Sequence, residues 1–503
     1  MRVSLMFLGL ASASIIAALP HPFVEDPVTT IDPQVTLNNG TVTVHHIESY
    51  KQDDFLGIPF AEPPIGPLRF SLPRPVKNVW ERPFTAQSYP HKCAGYGAEQ
   101  IGDFKVSEDC LYLNVVKPTG YDERKLPVAV WTHGGAFLQG GTIEKLYNMS
   151  YMIQNSVELN KPFLGVTLQY RLNAFGFVNI KEVKEAGVTN LGIRDQRVTL
   201  QWVKENIAAF GGDDSKITIF GESAGAASVG IHLTAFGGRD DQLFSAAIME
   251  SGAPLLLGNR YNAAAEQAKF DKLLEAGAFV KVPIITGTNS DEGAFTAIGV
   301  NINTDAEFRK RAAAYGSSAT VPFFELLYPN IPGAVIPAIW STPPAGRGTQ
   351  IKRWAALSGD FTFIAPRQLT CQTWSRHSVT AYCYRFNGLV GNPPRCTHFV
   401  EVPYVSYNLE RMAFTGGAAA VPVEYRHTAK MMSNMWVSFF TTHDPNGHGI
   451  PGSVDWPRYD DGVGGYGQNF VFEVEKASAV EDDTWRAAGI DYLTSVFKTE
   501  YAK

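Results

Sequence analysis

Cysteine is scarce in this chain, five residues in 503, and the number is odd, so the thiols cannot all pair within one molecule. A fold held mainly by disulfides is excluded, because a chain of this length with 45% hydrophobic residues can bury one large core or two ordinary ones without them. Sustained basic runs are missing too, and a formal charge of -6 with a pI near 6.0 argues against nucleic acid as a partner. Beyond residue 20 no apolar stretch is long enough to span a bilayer, which excludes stable membrane insertion of that part. Low-complexity linkers and internal repeats are also absent, so the remainder reads as one domain.

What is present begins with "MRVSLMFLGLASASIIAALPHP": Arg2, an apolar run from Val3 to Leu19, small residues around Ala18, then Pro20 and Pro22. This is the pattern of a secretory signal peptide over residues 1–20, followed by a domain over 21–503. Secretion fits two glycosylation sequons, Asn39 in "NGT" and Asn148 in "NMS". Cys93 and Cys110 bracket a 16-residue polar loop and can pair in an oxidising compartment, leaving Cys371, Cys383 and Cys396 with at most one further bridge.

From Leu126 onward apolar strands alternate with amphipathic helices: "PVAVWTH", "FLGVTLQY", "IRDQRVTLQWVKENIAAF", "KITIF", another helix, then "FSAAIME". Strands separated by helices imply parallel pairing with helices on both faces, an α/β architecture. Residues 41–120 carry β-rich patches with Pro and Gly turns, which predicts an antiparallel N-terminal edge on the same, mostly parallel sheet.

Within "KITIFGESAGAASVGIHL", Gly221-Glu222-Ser223-Ala224-Gly225 stands between a strand and a helix. A sharp strand-to-helix turn needs small residues around the serine and lifts its Oγ above the sheet, where the following helix N-terminus favours negative charge. A serine nucleophile needs a base, and in this architecture the order is Ser, acid, His. The candidates are His377, His398, His427, His443 and His448; His398, in the loop just after the strand "TAYCYRF", is best placed. For the acid, "VPIITGTNSDEG" ends a strand in Asp291 and Glu292, and residue chemistry does not choose between them. In "VWTHGGAFLQGG", Gly134, Gly135 and Ala136 follow another strand, where small residues let backbone N–H groups approach a developing oxyanion, with the Ala224 N–H as a further donor.

These residues resemble the type-B carboxylesterase/lipase family, of the secreted fungal kind. "FGGDDSKITIFGESAG" is similar to its nucleophile signature and "EDCLYLNVVKP" to its second signature, while "FLGIPFAEPPIGPLRF", "YRLNAFGF", "NLGIRDQRVTLQWVKENI", "THFVEVPYV" and "WRAAGIDYL" extend the likeness over the mature chain. The resemblance implies an α/β-hydrolase fold, a secreted carboxylic ester hydrolase, and a triad of Ser223, Glu292 and His398. It assigns the oxyanion donors to Gly135, Ala136 and Ala224, pairs Cys93 with Cys110, and calls for no metal or organic cofactor. Substrates would be small-molecule or lipid esters. In the family's lipases the loop between Cys93 and Cys110 is the lid; here "AGYGAEQIGDFKVSED" is short and polar, which favours dispersed esters over lipid surfaces. It also lacks the Trp on which choline esters stack, leaving only Tyr96 and Phe104 as substitutes.

One stretch departs from the family. In "FDKLLEAGAFVKVPIITGTNSDEG" a helix runs almost directly into a strand, and Ser223 and Glu292 are only 69 positions apart. Several helices and a second disulfide normally stand here. Clean flanks around a missing middle imply an internal deletion near 276/277, such as a skipped exon, and predict an open pocket beside Ala276–Lys281. A rival reading follows: a catalytically inactive or impaired member, either a binding module or a truncated gene product.

Overall fold

The computed structural model describes residues 33–44, 46–97, 104–254, 274–331, 346–388, 396–412, 414, 417–460, 462 and 465–497. The segment read as a signal peptide and most of the stretch before the join lie outside these residues.

An eleven-stranded sheet forms the centre. In chain order its strands are β1 (His46–Ile47), β2 (Gln52–Pro59), β3 (Tyr112–Pro118), β4 (Leu126–Thr132), β5 (Leu164–Leu168), β6 (Gly212–Glu222), β7 (Ala246–Glu250), β8 (Ile284–Asn289), β9 (Ala381–Phe386), β10 (Gln468–Phe472) and β11 (Ala479–Asp482). Their spatial order is β11-β10-β9-β8-β7-β6-β4-β5-β3-β2-β1. Every neighbouring pair from β5 through β4 and on to β10 is parallel, and the pairs at the β1–β3 side are antiparallel, as the alternation of strands and helices predicts. A second antiparallel edge, β11 on β10, was not foreseen.

The inner strands are apolar on both faces because helices cover both. Val128 and Val130 share one core with Leu200 and Val203 of helix α1 (Leu191–Asn206), Val229 and Leu233 of α2 (Ala224–Gly238), and Trp374. Ala129 and Trp131, displaced by one residue, share the other with Phe220 and Ile248, and with Met435, Trp436 and Phe439, whose helix spans Val423–Thr442. The strand order reverses around β4, and in such sheets ligands usually bind beyond the carboxyl ends of the strands at that point.

Cys93 and Cys110 are bonded, with Cα atoms 5.0 Å apart. The one further bridge is Cys371–Cys383, tying a helix to β9, and Cys396 stays a buried thiol within 2.9 Å of the Phe386 carbonyl. Of the sequon asparagines, Asn39 donates its amide to the carbonyls of Val76 and Asn78, and Asn148 accepts from the Ser150 N–H.

The expected opening beside Ala276–Lys281 is not what the described residues there form. Phe279 stacks on Trp374 with centroids 3.9 Å apart, the Val280 N–H donates to the Leu233 carbonyl, and the Trp374 indole donates to that of Val282. This join lies at the amino end of β8, the end opposite the one that leads to Glu292. The β7-to-β8 connection, residues 251–283, exceeds the dozen or so residues that a parallel crossover requires, so its length suffices to close the sheet.

Candidate active site

Strand β6 ends at Glu222, and Ser223 turns the chain into α2 with φ 56° and ψ −121°, a conformation costly for a residue with a side chain. The glycines of the motif permit it: a Cβ on Gly225 would collide with the Thr132 carbonyl of β4. Ser223 Oγ lies 2.8 Å from His398 Nε2. Across the ring, Nδ1 donates to Glu292 Oε2 at 2.7 Å. The second oxygen of Glu292 accepts from the Asn289 N–H at 2.7 Å and from Ser251 Oγ at 2.6 Å, so three donors converge on one buried carboxylate.

The remaining histidines stand elsewhere. His377 faces the Leu274 carbonyl at the join, His443 lies 3.3 Å from Ser245, and His448 accepts from the Ile450 N–H. His427 is exposed. Of the two candidate acids, left open by residue chemistry alone, Glu292 is the one directed at His398. Asp291 is buried with no hydrogen-bond partner on either carboxyl oxygen among the described residues. Burial pushes its carboxyl up to about 8, against the opposing pull of the Arg486 and Lys352 cations.

After β4, Gly135 (φ 98°) and Ala136 (φ 56°) both adopt left-handed backbone, and the Gly135 carbonyl accepts from the N–H groups of Leu138 and Gln139. Gly134 packs on the nucleophile turn so tightly that a Cβ there would come within 2.8 Å of the Glu222 carbonyl and 3.1 Å of Ser223 Cβ. The loop carrying the candidate oxyanion donors Gly135 and Ala136 is thus seated against the serine, and Ala224 opens α2 directly after it.

Several groups escaped the sequence reading. Glu222 Oε1 stands 3.1 Å from His398 Nε2. Glu401, three residues past His398, is fully buried, 2.9 Å from Ser251 Oγ and 2.5 Å from Asn289 Nδ2. Ser251 has one hydroxyl proton for two carboxyl neighbours, so both contacts are met when it donates to Glu292 and Glu401 holds a proton of its own. In keeping with this, burial first and the charge of Glu292 second raise the Glu401 carboxyl to about 7. The H-x-x-E spacing in "THFVEVP" was the available signal. Two aromatic rings, Phe295 and Phe363, also close on His398. In the loop after Cys93, Phe104 is covered by the Lys92 ammonium 4.3 Å from its centroid, which removes one substitute for a choline-stacking ring.

A model of the Carboxylesterase family matches residues 31–270 and 266–475. The chain belongs to the carboxylesterase family. It is accordingly a carboxylic ester hydrolase with an α/β-hydrolase fold. Para-nitrobenzyl esterase of Bacillus subtilis (strain 168) is 30% identical over 454 residues, covering 80% of this chain and 88% of that protein. Secreted lipase 1 of Botryotinia fuckeliana (strain B05.10) is 29% identical over 571 residues, covering 93% and 94%. Among solved structures, the crystal structure of Aspergillus niger EstA superposes with a TM-score of 0.78 at 24% identity, covering 93% of this carboxylesterase and 99% of that chain.

Proposed function

We propose that this carboxylesterase is secreted and cleaves carboxylic esters through an acyl-enzyme on Ser223. Ser223 Oγ attacks the ester carbonyl while its proton passes to His398 Nε2; Glu292 holds the imidazole in the required tautomer and stabilises its cation. The N–H groups of Gly135, Ala136 and Ala224 receive the oxyanion. Collapse of the tetrahedral intermediate breaks the bond to the alcohol oxygen, which takes the proton from His398, and water repeats the sequence to free the acid. The observation carrying this reading is the unbroken line of contacts, 2.8 Å from Ser223 Oγ to His398 Nε2 and 2.7 Å from His398 Nδ1 to Glu292.

Secretion is supported by the N-terminal pattern, by two disulfides suited to an oxidising compartment, and by likeness to a protein named Secreted lipase 1. Glycosylation of Asn39 and Asn148 belongs to the same reading, although a glycan on Asn39 would displace one of its two amide hydrogen bonds. No helix among the described residues is long and apolar enough to cross a membrane. The short polar loop after Cys93 favours dispersed esters. Labelling with a serine-directed organophosphonate tests the mechanism: an adduct on Ser223 is expected, and a folded preparation that forms none refutes it.

A second reading, an impaired member lacking part of its substrate cover, is favoured by one observation. The family match comes as two stretches that meet at residues 266–270, just ahead of the join, as a deletion there requires. The alignment to Secreted lipase 1 needs 571 positions for 93% of a 503-residue chain, leaving roughly a hundred without a counterpart. Sequencing transcripts of the source gene decides it: an in-frame insert near Ala276 is expected, and cDNA without one shows the short join to be genuine.

A further inference from the structure

With both nitrogens of His398 committed, Nδ1 to Glu292 and Nε2 to Ser223, the other described groups that close on the ring are aromatic. The Phe363 ring lies 4.4 Å from the imidazole centroid at an interplanar angle of 31°, and the Phe295 ring 5.3 Å away at 41°. Phe363 reaches this place through an irregularity in its helix. The helices α4 (Ile351–Gly359) and α5 (Ala365–Arg376) form one continuous rod interrupted by a π turn over Asp360–Ile364. Pro366 explains it: a proline has no N–H to donate and its ring crowds the carbonyl four residues back, here Thr362, so the ladder widens by one residue. That extra residue leaves Thr362 and Phe363 half-buried in an otherwise buried stretch.

The turn is anchored. Asp360 is fully buried, paired with Arg486 through contacts of 2.5 and 2.8 Å and accepting from the Tyr328 hydroxyl at 2.9 Å. Phe295 is carried by the short helix α3 (Gly293–Thr296) that follows the acid, and that helix is seated on α4. A Cβ on Gly293 would collide with the Ala355 carbonyl, and Thr296 Oγ1 meets Ser358 Oγ at 2.5 Å. Acid, Phe295 and Phe363 therefore belong to one seated unit, while His398 arrives from the far end of β9.

We propose that Phe363, supported by Phe295, is a positioning residue for His398. Its ring face fixes the plane of the imidazole between Ser223 and Glu292 and stabilises the imidazolium formed when the serine proton is taken. The attraction is that of a cation for an aromatic quadrupole. This rests on the triad reading above. The charged groups facing the ring, Glu292 and Glu222 in contact and Glu401 beyond, are untouched by a substitution at Phe363.

The test is steady-state hydrolysis of a small p-nitrophenyl ester across pH by Phe363→Leu, Phe363→Tyr and Phe295→Leu. For Phe363→Leu, kcat falls about tenfold to a hundredfold with KM within about threefold, the scale of a misplaced catalytic group. The acid limb of kcat/KM moves to lower pH by about half to one unit, because the cation has lost a favourable neighbour. Phe363→Tyr restores both, and Phe295→Leu shows the same changes in weaker form. A Phe363→Leu enzyme with unchanged kcat and acid limb, or with a change in KM alone, overturns the proposal. Should Phe363→Leu fail to fold by circular dichroism, Phe363→Tyr and Phe295→Leu decide instead: parent-like kcat and acid limb in Phe295→Leu, or no activity in a folded Phe363→Tyr, overturns it. Failure of the triad reading is separate, since it appears as hydrolysis surviving Ser223→Ala.

Discussion

Exchanging each of the adjacent carboxyls for its amide, Glu292→Gln and Asp291→Asn, distinguishes the orienting acid from its neighbour. At Glu292 the perturbation has no harmless orientation. Both oxygens accept, Oε2 from His398 Nδ1 and Oε1 from the Asn289 N–H and Ser251 Oγ, so a glutamine must turn its NH₂ toward at least one donor. Facing His398, it demands the other tautomer and leaves Nε2 protonated, unable to take the serine proton; facing Asn289 and Ser251, it still removes the charge that balances the imidazolium. The same change in a comparable triad lowers kcat about 10⁴-fold, roughly 5.5 kcal/mol in the barrier, and a loss of that order is expected here.

Asp291→Asn should instead leave kcat within about threefold, a barrier change under about 0.7 kcal/mol. Its signature is in stability. The Asp291 carboxyl is raised from 3.8 to about 8, so it contributes stability that is full below pH 4 and lost as pH climbs to 8. With roughly four units between folded and unfolded values, the loss is on the order of 5 kcal/mol, and Asn removes that slope. Steady-state kinetics and thermal unfolding at pH 5 and pH 8 measure both effects. Equal catalytic losses from the two amides, or a Tm profile that Asp291→Asn fails to flatten, would refute the reasoning.

Ser223→Ala and His398→Ala should each abolish most turnover and lose little more in combination, because the three residues act as a unit; additive losses would separate their roles. Glu401 should add to the fall in stability between pH 4.5 and about 7, and Glu401→Gln, which still can donate to Ser251, should flatten that part of the Tm profile; an unaltered profile would mean that Glu401 is not the proton holder. Activity should drop on the acid side as His398 becomes protonated, and a flat kcat/KM from pH 4 to 9 would exclude it as the base. The expressed chain should be poorly soluble or weakly active, and grafting a relative's crossover segment ahead of Ala276 should improve both; a well-behaved, fully active parent protein would remove the case for a lost segment.

The candidate nucleophile and base and the parallel sheet were legible because each is specified locally. Glycine can be read as a demand for close approach, and Gly225 against Thr132 is that approach. Asp291 and Glu292 could not be separated from residue chemistry because their difference is one of direction: the turn after Asn289 aims one at His398 and leaves the other buried, with Arg486 and Lys352 as opposing charges. Cys371–Cys383 depends on the register of a helix over β9, which no spacing encodes. Phe363 illustrates a middle case. Pro366 is visible in the chain and announces a disturbed helix, but whether the disturbance aims a side chain at the base depends on Asp360 finding Arg486 over a hundred positions away.

The placement of the join separates it from the groups around Ser223. Ser223, the Gly134–Ala136 loop, Glu292 and His398 follow the carboxyl ends of β6, β4, β8 and β9, and the register between them runs through β7, whose Glu250 pairs with Glu222 on one side and Gly287 on the other. Ser251, the next residue, spans the gap by binding Glu292 and Glu401 together. A crossover between the carboxyl end of β7 and the amino end of β8 can differ in length without shifting the register, since the ladder and the Ser251 bridge set where Glu292 stands. The contacts that join Ser223, His398 and Glu292 are therefore set by the sheet and the Ser251 bridge, independently of the length of the crossover.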